Sequence, residues 1–258
     1  MSELNSVRIS GSGCCGGGEY SEVRISGSGK ITGDVKCDSM HISGSGKIEG
    51  EVDCKNDIRI SGSGRIDKDI KCDTLHISGA AKATSVKAKK VHISGSCSTE
   101  GKIEADEIKI SGVLSAGGDI CGETVQVSGG IKTSHLLSGE TVDIKFSANN
   151  CIIGEIGGGT ITVRPGDYVN RSFGGLFQFM RKCSDDYAPS GKKSGYTAQI
   201  GSIEGDDITV QDCIVDTIRG TKVTIMSGCE VKRVEYSGEL TVEGGAKVEE
   251  QIDRKSVV

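Results

Sequence analysis

The sequence predicts an all-β protein, a β-solenoid of short stacked coils interrupted by one irregular or helical insertion. Three observations predict it. First, Ile-Ser-Gly or a close variant begins at Ile9, Ile25, Ile42, Ile60, Ile77, Ile93, Ile110 and Val127, in steps of 16, 17, 18, 17, 16, 17 and 17 residues. A fixed period means one structural unit stacked on copies of itself. Second, apolar and polar residues alternate within each period, the signature of a half-buried strand. Third, a period of about 17 residues is too short for a strand-helix-strand crossover, which needs ~30.

The stretch from Met40 to Ile60 shows how one coil is built. Met40-His41-Ile42 reads inward, outward, inward. Ser43-Gly44-Ser45-Gly46 turns a corner, where glycine accepts backbone angles that other residues resist. From Lys47 to Cys54 the chain alternates again. Ile48, Val52 and Cys54 take one side, and Lys47, Glu49, Glu51 and Asp53 the other. Lys55-Asn56-Asp57 makes a further corner, and Ile58-Arg59-Ile60 begins the next coil.

Aligning the coils produces vertical ladders. Met40, Ile58, Leu75, Val91, Ile108 and Val125 form one, and Ile42, Ile60, Ile77, Ile93, Ile110 and Val127 the next. A third ladder, Cys37, Cys54, Cys72, Ala88, Ala105 and Cys121, alternates cysteine with alanine. That pattern asks for a small apolar filler at an inside corner, a role free cysteine suits.

The period outlasts the tripeptide. Val142-Asp143-Ile144 and Ile161 keep it, and it resumes at Ile208-Thr209-Val210, Val223-Thr224-Ile225 and Leu240-Thr241-Val242. Between them, residues 164–196 hold both prolines and six of the nine aromatic residues, a composition shift that marks an insertion. The expected organisation is therefore a β-helix of about ten coils over 6–163, an insertion over 164–196, about three further coils over 197–251 and a tail over 252–258. At ~4.8 Å per coil, a continuous stack is a rod of roughly 60 Å.

Composition agrees with a narrow aliphatic core. Of 258 residues 39 are glycine and only 2 are proline, tryptophan is absent, and aromatics are 3%. The net charge of −5, with both signs interleaved, argues against broad nucleic-acid binding. Met1 to Ser12 lacks the basic start and apolar run of a signal peptide, and no segment reaches the length of a membrane span. The expected compartment is the cytoplasm, where the 11 cysteines stay reduced.

No motif for catalysis emerges. The cysteines lack the close pairs of a zinc site, apart from Cys14-Cys15 in a glycine-rich corner, where they are the most exposed to reaction. His41, His76 and His92 share an outward position with Arg59, Lys109 and Gln126, and read as a solvated face rather than a metal ladder. The glycine-rich corners have no phosphate-loop lysine and no strand-to-helix setting. Carboxylates follow the outward positions without an isolated acid and base pair. A left-handed acyltransferase solenoid would need a clean six-residue phase and a catalytic histidine on a projecting loop. The coils show no such phase, and His135 has no such loop. The expectation is therefore no enzyme activity, no cofactor, no metal and no small-molecule substrate.

The insertion carries the most unusual segment. Phe173, Leu176, Phe177 and Met180 fall at helical spacing, with Phe179 beside them and Arg181-Lys182 after. Two readings stand: a helix packed on the rod or capping coil ten, and a contact to a membrane or partner through Phe173, Leu176, Phe177, Phe179 and Met180.

The ends matter more than the faces. The first ladder begins at Val7 and Ile9, and the last coil carries Leu240, Val242 and Val248, with no evident amphipathic cap at either end. A solenoid's bare ends carry unpaired backbone groups and an apolar cross-section, so these five residues are the candidate polymer interface.

The coils Ile25 to Gly33 and Ile42 to Gly50, of the form Ile-Ser-Gly-Ser-Gly-Lys-Ile-x-Gly, resemble bactofilins, bacterial polymer-forming cytoskeletal proteins. The runs Ile203-Glu204-Gly205-Asp206-Asp207-Ile208 and Val234-Glu235-Tyr236-Ser237 add to the resemblance. It implies a right-handed, three-faced parallel β-helix. It also implies nucleotide-independent, apolar filaments serving cell shape, envelope growth or appendage assembly. The partner it implies is a second copy of the chain, with membrane or envelope proteins as further candidates at the inner face of the membrane. The alternative is a monomeric rod that presents residues 164–196 to a protein partner.

Overall fold

Parallel pairing between successive periods organises the chain. The computed structural model describes residues 5–147, 151–166 and 197–254. Val7 pairs with Val23, Val23 with Met40, Met40 with Ile58, and so on up to Val223 with Leu240, each step one coil. Among the described residues all the strand pairings are parallel, and they join 22 strands into one sheet wound into about 13 turns. Among the described residues there is no α-helix.

A typical coil has three short faces. Asp57–Ile60 forms the first, Ser63–Ile66 the second and Ile70–Lys71 the third, before Thr74–Ile77 starts the next coil. The alternation read along Lys47 to Cys54 is therefore split by a corner at Glu49-Gly50-Glu51, between strands Ser45–Ile48 and Val52–Cys54. Gly50 explains the corner. A Cβ there would overlap the backbone of Gly33 and Asp34 in the coil before.

Each face turns its apolar residues inward. Ile25, Ile31, Ile42, Ile48, Ile58 and Ile60 are at most 1% exposed. Stacked rungs of Ile and Val remove nearly all of this side-chain surface from water, and each fully buried residue contributes roughly 1.5–3 kcal/mol. Ion pairs within and between coils run over the outer surface. Glu49 accepts from Lys30 and Lys47, both at 2.9 Å, and Asp67 accepts from Lys47 at 3.2 Å and Arg65 at 2.5 Å.

The glycine of the repeat has a different role from the one its sequence context implies. Gly27, Gly44, Gly62, Gly79, Gly95, Gly112 and Gly129 do not have positive φ; Gly18, Gly33, Gly228 and Gly245 do. What these motif positions exclude is a Cβ. One built on any of them overlaps the carbonyl oxygen of the matching glycine one coil earlier. Each coil therefore descends onto its predecessor along a line of glycine backbone. Across that line the Ser N–H and Gly N–H share one Ile carbonyl, as Ser43 and Gly44 do with Ile25 at 2.9 and 3.2 Å.

The small-filler ladder shifts by one place at Cys121. Glu104 pairs with Cys121 and Cys121 with Ser138, which are outward positions. The inside place falls to Gly122, followed by Gly139, Gly158, Gly205 and Gly220, and finally Tyr236. Cys213 and Cys229 are filler on the second face, between Ala198 and Ala246.

The rod is continuous across the insertion. The strand Cys151–Pro165 includes Arg164 and Pro165, and it pairs with Ala198–Val210 through Ile161 with Ile208 and Val163 with Val210. That step is 47 residues instead of about 17, so the chain leaves after coil ten and re-enters in register as coil eleven. The helical stripe Phe173, Leu176, Phe177 and Met180, with Phe179 beside it, lies outside the described residues.

Candidate assembly interface

The five residues expected at the polymer interface fall at opposite ends of the rod. Val7–Ile9 pairs with Val23–Ile25 on one side, and no described strand lies on its other side. At the far end Leu240–Val242 pairs only with Val223–Ile225, and Val248 only with Val231. The free side of each strand presents a row of backbone donors and acceptors.

The apolar ladders surface at the far end. Val210 and Ile225 are 0% exposed, whereas Val242, the next rung of the same ladder, is 39% exposed. Leu240 and Val248 are half-buried and still touch the core, as does Ile9 at the opposite end; Val7 is half-buried too. Among the described residues, nothing covers either cross-section.

A charged clasp sits beside the far end. Glu235 is only 3% exposed on an outward position, because three arginines fold over it. Arg233 meets its Oε1 at 2.7 Å and Arg219 its Oε2 at 3.5 Å, and Arg254 reaches back from beyond the last strand to donate to Oε2 as well. Burial pushes the Glu235 carboxyl up, but the charges of Arg233, Arg254 and Arg219 outweigh it and hold the group below its ordinary 4.5. The clasp ties Arg254 to the coil below, so it fixes the edge that carries Val242 and Val248. Alternation marks Glu235 as solvated. Arg233, two residues earlier on the same strand, is visible in the sequence, but Arg219 and Arg254 join it only once the register is known.

The cysteines divide as the ladders do. None of the described ones forms a disulfide, and Cys37, Cys54, Cys72, Cys97, Cys151, Cys213 and Cys229 are buried. Burial pushes the thiols of Cys97 and Cys151 up to about 12, so they stay protonated at neutral pH. Cys14 is exposed on the open first rung beside half-buried Cys15.

The outward histidines fall where the period places them. His41, Arg59, His76, His92, Lys109 and Gln126 follow one another in register, and the His76 and His92 rings lie 4.9 Å apart, tilted at 44°. Among the described residues, no helix is long and apolar enough to cross a membrane.

Residues 2–85 and, overlapping them, 44–124 match the family model for bactofilins, described as polymer-forming cytoskeletal. Comparisons with curated proteins and with solved structures gave no match. The match covers the coils in which the Ile-Ser-Gly motif is most regular, and the remaining coils continue the same sheet in register. Residues 2–124 of this parallel β-solenoid form a bactofilin domain, of the family described as polymer-forming cytoskeletal.

Proposed function

We propose that this protein polymerises by stacking rods end to end, so that the strand edges and apolar ladders continue from one copy into the next. The observation that carries this reading is Val242. The same ladder is sealed at Ile225 and open at Val242, where a further rung would bury it. Val7, Ile9, Leu240 and Val248 are the other apolar residues of those junctions. Pairing across a junction uses the hydrogen bonds that join coils within the rod, and needs no nucleotide. The polymer is read as a cytoplasmic scaffold for cell-shape, envelope or appendage-assembly processes. Phe173, Leu176, Phe177, Phe179 and Met180 are the proposed attachment to a membrane surface or envelope protein.

Electron microscopy of the purified chain without nucleotide tests the assembly reading. Filaments are expected for the wild type, and short rods for Val242→Lys or Val7→Lys. Both substitutions change partly exposed residues and leave the coil intact. Wild-type protein that stays as single rods favours the alternative, a monomeric scaffold working through residues 164–196. Liposome flotation tests the attachment: unchanged flotation after Phe177→Ala or Phe179→Ala removes that segment from the account.

A further inference from the structure

One outward ladder of the first face carries a charge pattern that end-to-end assembly does not use. Arg8, Arg24, His41, Arg59, His76, His92 and Lys109 follow one another in register through seven consecutive coils. The same ladder then loses its positive charge and changes character, running through Gln126, Asp143, Thr162, Thr209, Thr224 and Thr241. A basic run confined to one half of the rod stands out in a chain of net charge −5.

The ladder is straight and one residue wide. At ~4.8 Å per rung its seven groups span about 29 Å. On one flank lie the exposed serines of the repeat, Ser10, Ser26, Ser43, Ser61, Ser78, Ser94 and Ser111. A shallow groove of about 400 Å³ runs between the two, with His41, Arg59, His76 and His92 on one side and Ser61, Ser78 and Ser94 on the other. On the opposite flank Glu22, Asp57 and Glu107 pair with Arg24, Arg59 and Lys109, and Lys90 reaches Glu107 at 3.2 Å. Five fixed cations thus face three carboxylates, and protonating the three histidines raises the positive excess from two to five.

We propose that this ladder binds a linear, phosphate-bearing polyanion laid along the rod, with its phosphates between the basic side chains and the serine hydroxyls. Arginine forks and hydroxyl donors both suit phosphate oxygens. The single-file geometry selects a chain over a bilayer. A flat anionic surface would press against Glu22, Asp57 and Glu107 as well, whereas a chain in the groove meets only the ladder and the serines.

The histidines make the binding pH-dependent. His76, with Thr74 beside it on its own strand, faces Arg59 and Asp57 on one side and His92 and Lys90 on the other. Burial, then the charges of His92 and Arg59, hold it below the ordinary imidazole value against the pull of Asp57. A bound polyanion favours the charged imidazoles, so affinity rises on acidification.

Titration of the full-length protein with inorganic polyphosphate tests this, with anionic phosphatidylglycerol vesicles as a second probe. Counterion release from four fixed ladder cations predicts a roughly 50-fold loss of affinity between about 50 and 200 mM salt at pH near 8, and a steeper loss on acidification, approaching roughly a thousandfold for seven charges. The variant Arg8→Gln/Arg24→Gln/Arg59→Gln/Lys109→Gln should bind at least about tenfold more weakly with a flattened salt slope. Lys36→Gln/Lys55→Gln/Lys71→Gln/Lys82→Gln, equal in charge but off the ladder, should bind like the wild type. His41→Asn/His76→Asn/His92→Asn should keep the affinity near pH 8 and lose the gain on acidification. The proposal is overturned if the ladder variant binds as the wild type does. It is overturned equally by binding to vesicles but not polyphosphate, or by an affinity indifferent to pH.

Discussion

Gly79→Ala is the sharpest test of how the coils stack. A Cβ built on Gly79 overlaps the carbonyl oxygens of Gly62 and Ser61 and lies 2.7 Å from the Ser61 carbonyl carbon. These are backbone atoms of the neighbouring coil and cannot swing aside as a flexible side chain would. To admit the methyl, the two coils must part at this corner. Three hydrogen bonds then stretch: Ser78 N–H and Gly79 N–H to the Ile60 carbonyl, at 2.9 and 3.1 Å, and Ala80 N–H to the Gly62 carbonyl at 2.9 Å. At about 1 kcal/mol net for each, the expected cost is about 3 kcal/mol. Gly11 is the control, because it occupies the same place in the first coil with nothing within 4 Å of a built Cβ. Gly11→Ala should be neutral, or stabilising by up to about 1 kcal/mol through the unfolded chain. Urea unfolding followed by circular dichroism reads both, in a Val242→Lys background so that assembly does not add to apparent stability. The reasoning is refuted if Gly79→Ala lies within about 0.5 kcal/mol of its parent, the scatter expected of an ordinary surface change. It is refuted also if Gly11→Ala costs as much.

Three further outcomes follow from single residues. The Thr99 hydroxyl is buried without a hydrogen-bond partner, so Thr99→Val should stabilise by about 1 kcal/mol in the same unfolding assay. Thiol labelling of the native protein should modify Cys14 first among the described cysteines. Cys97 and Cys151, with thiols pushed up to about 12, should label only on unfolding. Glu235 has its carboxyl held below 4.5, so its stabilising effect is complete above that pH and is lost as pH falls through the lower folded value. Hydrogen exchange should therefore show residues 247–253 loosening in acid before the middle coils do, and Glu235→Gln should loosen them already at neutral pH.

The sequence made the stacking legible because an inward ladder repeats one demand in every coil. Ile42, Ile60, Ile77 and Ile93 each meet the same neighbours, and their spacing sets the register of everything between. Other features depend on distances that a single coil does not encode. Gly44 and Gly62 look like flexible corners, but the structure keeps them glycine because another backbone passes against them. Cys121 and Gly122 are both small enough for the inside place, so composition alone chose the wrong one. Glu235 obeys the outward alternation and is buried nonetheless, by Arg233 two residues before it together with Arg219 and Arg254, 16 and 19 residues away on the chain. Arg8 and Arg24 join the histidine ladder only when coils one and two, with their atypical glycine-rich corner, are placed in register.

The end-to-end account is tested most directly by diffraction or high-resolution electron microscopy of aligned filaments. It predicts a strong layer line at about 4.8 Å along the filament axis, uninterrupted across junctions, and a subunit repeat of roughly 60 Å. A 4.8 Å spacing running across the axis, as rods packed side by side would give, would contradict it.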